Sequence, residues 1–188
     1  MKAKGSTRRV DKPNFWKYEE NVPNELKDFV FQQYLSNNTM HIYCDGSASG
    51  EIREMAIAVS ILERGTVTVK QQLLFPPKNC YHKPIYAEIK ALIFALRIFR
   101  KLMRVHCDQV IIYSDVANIE SFLSKEITFN NNSLMKLQSE LIQTYQQILK
   151  ENGSRLITIK YLPLDLKRHN PFANSAHNAA KSMLRNRS

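Results

Sequence analysis

Hydrophobic positions change their spacing several times along the chain, and each change marks an element. MHIYCD alternates and predicts a strand ending on Asp45, with a turn at Gly46. EMAIAVSIL keeps the two-residue period through Met55, Ile57, Val59 and Ile61, which predicts a half-buried strand. Glu63, Arg64 and Gly65 offer a turn, and TVTVKQQLLF returns as a third strand. Three antiparallel strands in series is the simplest arrangement. The period then lengthens: Ile89, Leu92, Ile93, Leu96, Phe99 and Met103 recur at helical spacing through IYAEIKALIFALRIFRKLM. QVIIYSD is too short and too β-branched for a helix, and reads as a buried strand ending on Asp115.

VANIESFL reads as a short helix, and the polar NNNS opens a longer one, SLMKLQSELIQTYQQILKENG, closed by Gly153. RLITIKYL is a fifth strand, PLDLKRHNP a loop, and FANSAHNAAKSML a last helix with Pro171 in its first turn. Ahead of all this, VPNELKDFVFQQYL has a helix start at Asn24 and apolar residues at Leu26, Val30, Phe31 and Leu35. Residues 1–23 carry scattered basic groups, Pro13, Pro23 and the lone Trp16 without a sustained period. No internal repeat is present. The order β-β-β-α-β-α-α-β-α predicts an α/β fold: a five-stranded mixed sheet, three antiparallel strands then two further strands, flanked by helices. The expected division is a basic N-terminal arm with a short helix over 1–38 and one domain over 39–188.

Composition narrows the function. The chain has 188 residues, 44% of them hydrophobic, enough for one domain with a full core and a modest extension. It has no apolar run near the ~20 residues of a membrane span. Its N-terminus lacks the apolar stretch of a secretory signal, so a cytoplasmic protein is expected. Cys44, Cys80 and Cys107 are odd in number and lack the CxxC spacing of zinc sites, which predicts reduced thiols. Lys and Arg total 27 against 17 Asp and Glu, a formal charge of +10. Such a balance favours polyanionic partners, of which nucleic acid is the commonest.

Three carboxylates stand out against that charge. Asp45 and Asp115 close predicted strands, the edge of an α/β sheet where sites are built. Glu88 falls in the predicted first turn of the long helix beside Ile89 and points largely inward, a costly place for an unpaired carboxylate. Singly, each has an ordinary explanation as a turn residue or as a helix-dipole partner. Together they suit an oxygen-seeking ion such as Mg²⁺. Two such ions about 4 Å apart can activate a water and stabilise the leaving oxygen of a phosphodiester.

Residues from about 39 to 184 resemble type 1 ribonuclease H. The resemblance lies in IYCDGSA, YAEIKAL and IIYSDVANI, the three acidic motifs in order, and in KRHNPFANSAHNAAK at the C-terminal segment. It implies that Asp45, Glu88 and Asp115 are metal ligands and that His169 assists proton transfer or product release. It also implies Mg²⁺ or Mn²⁺ as cofactor, two ions being expected, and hydrolysis of the RNA strand of an RNA/DNA hybrid.

The chain departs from that family in several places. ASGEIREMA holds one glycine where the family has a glycine-rich stretch, and Val116 replaces the serine after the third acidic residue. Lys83, Pro84 and Ile85 stand where the family often has asparagines that read the RNA strand. No basic helix follows the long helix, because MRVHCD runs almost directly into QVIIYSD. Substrate grip would then fall to Ser47, Lys167 and Arg168, with Lys2, Lys4, Arg8 and Arg9 of the arm. At the fourth acidic position AHNAAK puts His177, or Asn178 in an alignment shifted by one. A neutral imidazole at His177 can still bind a divalent ion and favours Mn²⁺ over Mg²⁺, so His177 joins the expected metal and catalytic residues. The alternatives are a weak or inactive nucleic-acid-binding module of this fold, or a nuclease of the same fold with another nucleic-acid substrate.

Overall fold

The antiparallel run predicted by alternation is built by β1 (Thr39–Ala48), β2 (Met55–Glu63) and β3 (Thr66–Leu74). The computed structural model describes residues 13–17, 19, 21–49, 53–102, 107–153 and 156–185. Between β2 and β3, Arg64 and Gly65 take φ of 48° and 71°. Positive φ at both central residues gives the turn whose twist matches a hairpin. β4 (Gln109–Ser114) lies parallel to β1, and β5 (Leu156–Tyr161) parallel to β4, in the order β3-β2-β1-β4-β5. Parallel neighbours need crossovers. α2 (Pro84–Leu102) supplies the first, and α3 (Ile119–Leu123) with α4 (Asn132–Glu151) the second. The five-stranded mixed α/β sheet is the expected one.

Alternation along β1 divides the interior into two layers. Met40, Ile42 and Cys44 face one core, with Leu92, Leu96 and Phe99 of α2 and Leu137 and Leu141 of α4. Tyr43, with Ile111 and Tyr113 of β4, faces the other. There α6 (Pro171–Arg185) supplies Phe172 and Ala173, and α1 (Asn24–Tyr34) supplies Leu26 and Val30. Farther along, Ala56 and Ala58 of β2 meet Ala180 and Leu184, so small residues on both sides bring α6 close to the sheet.

The N-terminal segment shares this second core. Trp16 is 8% exposed, and Phe15 packs edge-on against Trp16, Tyr34 and Phe172. A buried polar chain within this core ties the sheet to α1 and to the start of α6: Asn170 Nδ2 donates to the Tyr43 hydroxyl at 3.1 Å, that hydroxyl donates to Gln33 Oε1, and Gln33 Nε2 donates to the Tyr113 hydroxyl at 3.0 Å. Lys2, Lys4, Arg8, Arg9, Met103 and Arg155 lie outside the described residues. Among the described residues, no helix is long and apolar enough to cross a membrane.

Four local expectations change. β2, expected to be half-buried, is buried on both faces, because Ala56 and Ala58 lie under α6 while Ile57 and Val59 face the other core. β1 does not turn at Gly46; it runs on to Ala48, because β2 pairs with it as far as Ala48↔Met55 while β4 stops at Tyr43↔Tyr113. Gly46 answers a different need. A Cβ there would lie 2.7 Å from both the carbonyl carbon and the Cβ of Ala87, so only glycine lets α2 approach this closely. α2 begins at Pro84, which puts Glu88 in its second turn and not its first. The predicted loop after β5 contains a short helix, α5 (Leu164–Arg168), in which the Lys167 N–H donates to the Pro163 carbonyl at 2.9 Å.

Candidate active site

Asp45, inside β1, and Asp115, one residue past the end of β4, both lie two residues beyond the parallel Tyr43↔Tyr113 pair, so they fall side by side. Both continue the face that carries Tyr43 and Tyr113, and α6 packs on that face. Asp45 is 4% exposed. A carboxylate so buried requires partners. Lys167 Nζ donates to Asp45 Oδ1 at 3.0 Å and to Asp115 Oδ2 at 2.6 Å. His177 Nδ1 lies 3.1 Å from the other oxygen, Asp45 Oδ2. An ionised carboxylate only accepts, so Nδ1 carries a proton in this contact, which leaves Nε2 as the ring's one nitrogen with a lone pair to offer when the ring is uncharged. Asn178, the alternative from the shifted alignment, is exposed.

Glu88 reaches the site from the opposite layer, carried by the close approach of α2 to Gly46, whose added Cβ would lie 2.8 Å from the Glu88 nitrogen. Burial, with the Asp115 and Asp45 charges adding and Lys167 partly offsetting, pushes its carboxyl up to about 7. Burial alone would lower the Lys167 ammonium, but the bonds and charges of Asp115 and Asp45 outweigh it and hold its pKa above the ordinary lysine value. Cys44 is driven well up by burial and then by Asp115 and Asp45, so it is an inert thiol beside the site.

The donor chemistry fits a hard divalent cation. Carboxylate oxygens dominate, and Asp115 Oδ1 is buried without a hydrogen-bond partner. A cation already occupies the space between the aspartates in the form of the Lys167 ammonium. Around that lysine, among the described residues, no three His, Cys, Asp or Glu side chains close on one point as ligands of a single ion.

His169 is placed differently from its expected partners. Its Nδ1 is 2.8 Å from Glu19 Oε2, and its backbone carbonyl accepts from Trp16 Nε1 at 2.7 Å. Among the described residues it makes no bond to Asp45, Glu88 or Asp115. Ser47 is half-buried two residues along β1 from Asp45, and Arg168 is exposed on α5. Lys167, expected among the substrate contacts, instead bridges the two aspartates. Glu19 and the anchoring bond of Trp16 went unforeseen; the only sequence signal was a lone tryptophan in an otherwise aperiodic segment.

No family model matches the sequence, and no curated protein does. Solved structures match by shape. Ribonuclease H1 of the halophilic archaeon Halobacterium salinarum superposes with a TM-score of 0.58 at 18% identity, covering 79% of this chain and 99% of its own. The N-terminal ribonuclease H domain of a Mycobacterium tuberculosis protein gives 0.53 at 18% identity, covering 79% and 99%. The LC11 ribonuclease H1, a metagenomic protein from compost, was solved in complex with an RNA/DNA hybrid. That complex gives 0.55 at 19% identity, covering 77% and 99%. By strand order, layer arrangement and superposition, the chain has the ribonuclease H1 fold.

Proposed function

We propose that the chain is a divalent-metal-dependent nuclease that hydrolyses the RNA strand of RNA/DNA hybrids. The observation that carries this reading is the convergence of Asp45 and Asp115 on one cation, where β4 ends beside β1. The unpartnered Asp115 Oδ1 beside them and the inward Glu88 strengthen it. Similarity of fold to a ribonuclease H1 solved with a hybrid suggests the substrate.

Asp45, Asp115 and Glu88 would hold the metal through oxygen, and His177 through Nε2. A bound divalent ion supplies Lewis-acid stabilisation of the phosphodiester and lowers the pKa of a bound water. The chain's own groups do the rest. The Asp45 carboxylate fixes the His177 ring by accepting from its Nδ1. Arg168, exposed on α5 next to Lys167, faces solvent where a phosphate can reach it, and Ser47 follows Asp45 on the same side of β1. His169 has a carboxylate partner in Glu19 that can hold its ring while Nε2 exchanges a proton with the leaving oxygen. Residues 39–188 are the catalytic unit in this reading, and 1–38 an extension bearing on it through Trp16 and Glu19. The imidazole of His177 favours faster turnover with Mn²⁺ than with Mg²⁺.

One observation favours a second reading, a hybrid-binding module with little cleavage: an ammonium already neutralises the two aspartates. A single assay separates the two. Purified protein is incubated with an RNA/DNA hybrid, duplex RNA, duplex DNA and single strands, with Mg²⁺ and Mn²⁺ separately. Cleavage confined to the RNA of the hybrid is the expected result. Salt-sensitive binding without cleavage under either metal supports the module, and cleavage of DNA overturns the substrate assignment.

A further inference from the structure

Lys167 is the one cationic side chain within hydrogen-bonding distance of both aspartates among the described residues. Its side chain is 22% exposed and Asp45's is 5% exposed, whereas the neighbouring Arg168 lies open to solvent. The backbone around Lys167 is fixed from both sides. Its N–H donates to the Pro163 carbonyl at 2.9 Å, and its own carbonyl accepts from the Asn170 N–H at 3.1 Å. Asn170 is fully buried, and its Oδ1 caps α6 by accepting from the Phe172 and Ala173 N–H groups. Two residues from the lysine, the His169 carbonyl is held by the Trp16 indole. An ammonium anchored in this way is part of the site and not a wandering surface charge.

The charge count follows. Asp45, Glu88 and Asp115 are opposed by one ammonium, that of Lys167, and an imidazole that ligates a metal does so uncharged. Two negative charges remain when all three carboxylates are ionised, which one divalent ion cancels and a second would exceed. The donors left over also suit one ion. Lys167 takes Asp45 Oδ1 and Asp115 Oδ2, and His177 takes Asp45 Oδ2. Of the three carboxylates, Asp115 keeps Oδ1 buried without a hydrogen-bond partner, and the Glu88 side chain makes no hydrogen bond among the described residues.

We propose that Lys167 is a resident cation of this site, taking one cation position between Asp45 and Asp115, so that the chain loads a single divalent ion in competition with its own lysine. The proposal rests on the metal-dependent reading above and replaces the expectation of two ions. It assigns Lys167 a role in metal stoichiometry, where the sequence alone suggested substrate contact.

Counting bound Mn²⁺ on the full chain tests it, by titration calorimetry and by the loss of the free-ion electron paramagnetic resonance signal. The wild type, Lys167→Met, Lys167→Gln and Asp45→Asn are compared, with circular dichroism confirming that each is folded. One Mn²⁺ per wild-type chain is expected. Both Lys167 variants are expected to bind a second ion, or to hold the first about tenfold or more tightly, since a competing unit charge a few ångströms away is gone. Two ions on the wild type, or Lys167 variants that match it in number and affinity, overturn the proposal. If in that case Asp45→Asn still abolishes binding, the metal-dependent reading survives alone. No binding to the wild type or to either Lys167 variant overturns both.

Discussion

The Trp16 indole Nε1 donates a 2.7 Å hydrogen bond to the His169 carbonyl, joining residues 153 positions apart. The N-terminal segment thereby holds the C-terminal end of α5, with Lys167 in its last turn and His169 just beyond. Trp16→Phe keeps most of the aromatic packing and removes this bond, so it should cost about 1 kcal/mol. Trp16→Ala also empties a buried aromatic site and should cost about 3–5 kcal/mol. Urea denaturation of the three proteins checks both, and a Trp16→Ala midpoint equal to the wild type would show that the segment does not bear on the fold.

Gly46 is fixed by a close approach. Gly46→Ala drives a methyl group into the backbone of Ala87 and Glu88, where distances of 2.7 and 2.8 Å leave no flexible atom to move aside. A loss of about 1–3 kcal/mol is expected, together with weaker Mn²⁺ binding because Glu88 rides on the displaced turn of α2. Thermal unfolding and metal titration of the variant measure the two effects. Unchanged metal affinity in a destabilised protein would separate Glu88 from the site.

How much of this arrangement was readable in the sequence depended on range. Strand and helix order followed from local periodicity, since Met55, Ile57, Val59 and Ile61 or Leu92, Leu96 and Phe99 declare their facing without outside help. Asp45, Glu88 and Asp115 were visible as inward or strand-end carboxylates. Lys167 was visible only as a basic residue in what read as a loop. Its place between two aspartates depends on α5, on the cap at Asn170 and on strand pairing far away in sequence. Glu19 and Trp16 were hidden for the same reason: their partner, His169, lies at the other end of the chain. The end of β1 departs from the expected turn because Asp-Gly, an ordinary turn pair, here serves contact: Gly46 admits the packing of α2.

Glu88 gives the metal-free protein a definite pH signature. Its folded-state pKa of about 7 lies above the ordinary 4.5, so between those values the folded state holds more of this proton than the unfolded state. Stability contributed through this group is therefore present at acid pH and lost as pH rises through about 7. Glu88→Gln removes the loss, so in chelator its Tm should rise relative to the wild type as pH goes from 4.5 to 8. Partial exposure of the group keeps the effect below that of a fully buried carboxylate. A Tm difference independent of pH would contradict the assignment.

In the proposed function, Asp45 and Asp115 form the metal-binding heart of a nuclease. The most direct measurement is cleavage of an RNA/DNA hybrid labelled on its RNA strand, by the wild type and by Asp45→Asn, with Mn²⁺ and with chelator. Mn²⁺-dependent cuts by the wild type, none in chelator, and a rate lowered at least about 10²-fold in a folded Asp45→Asn are expected. Cleavage that persists in Asp45→Asn at the wild-type rate would contradict that role.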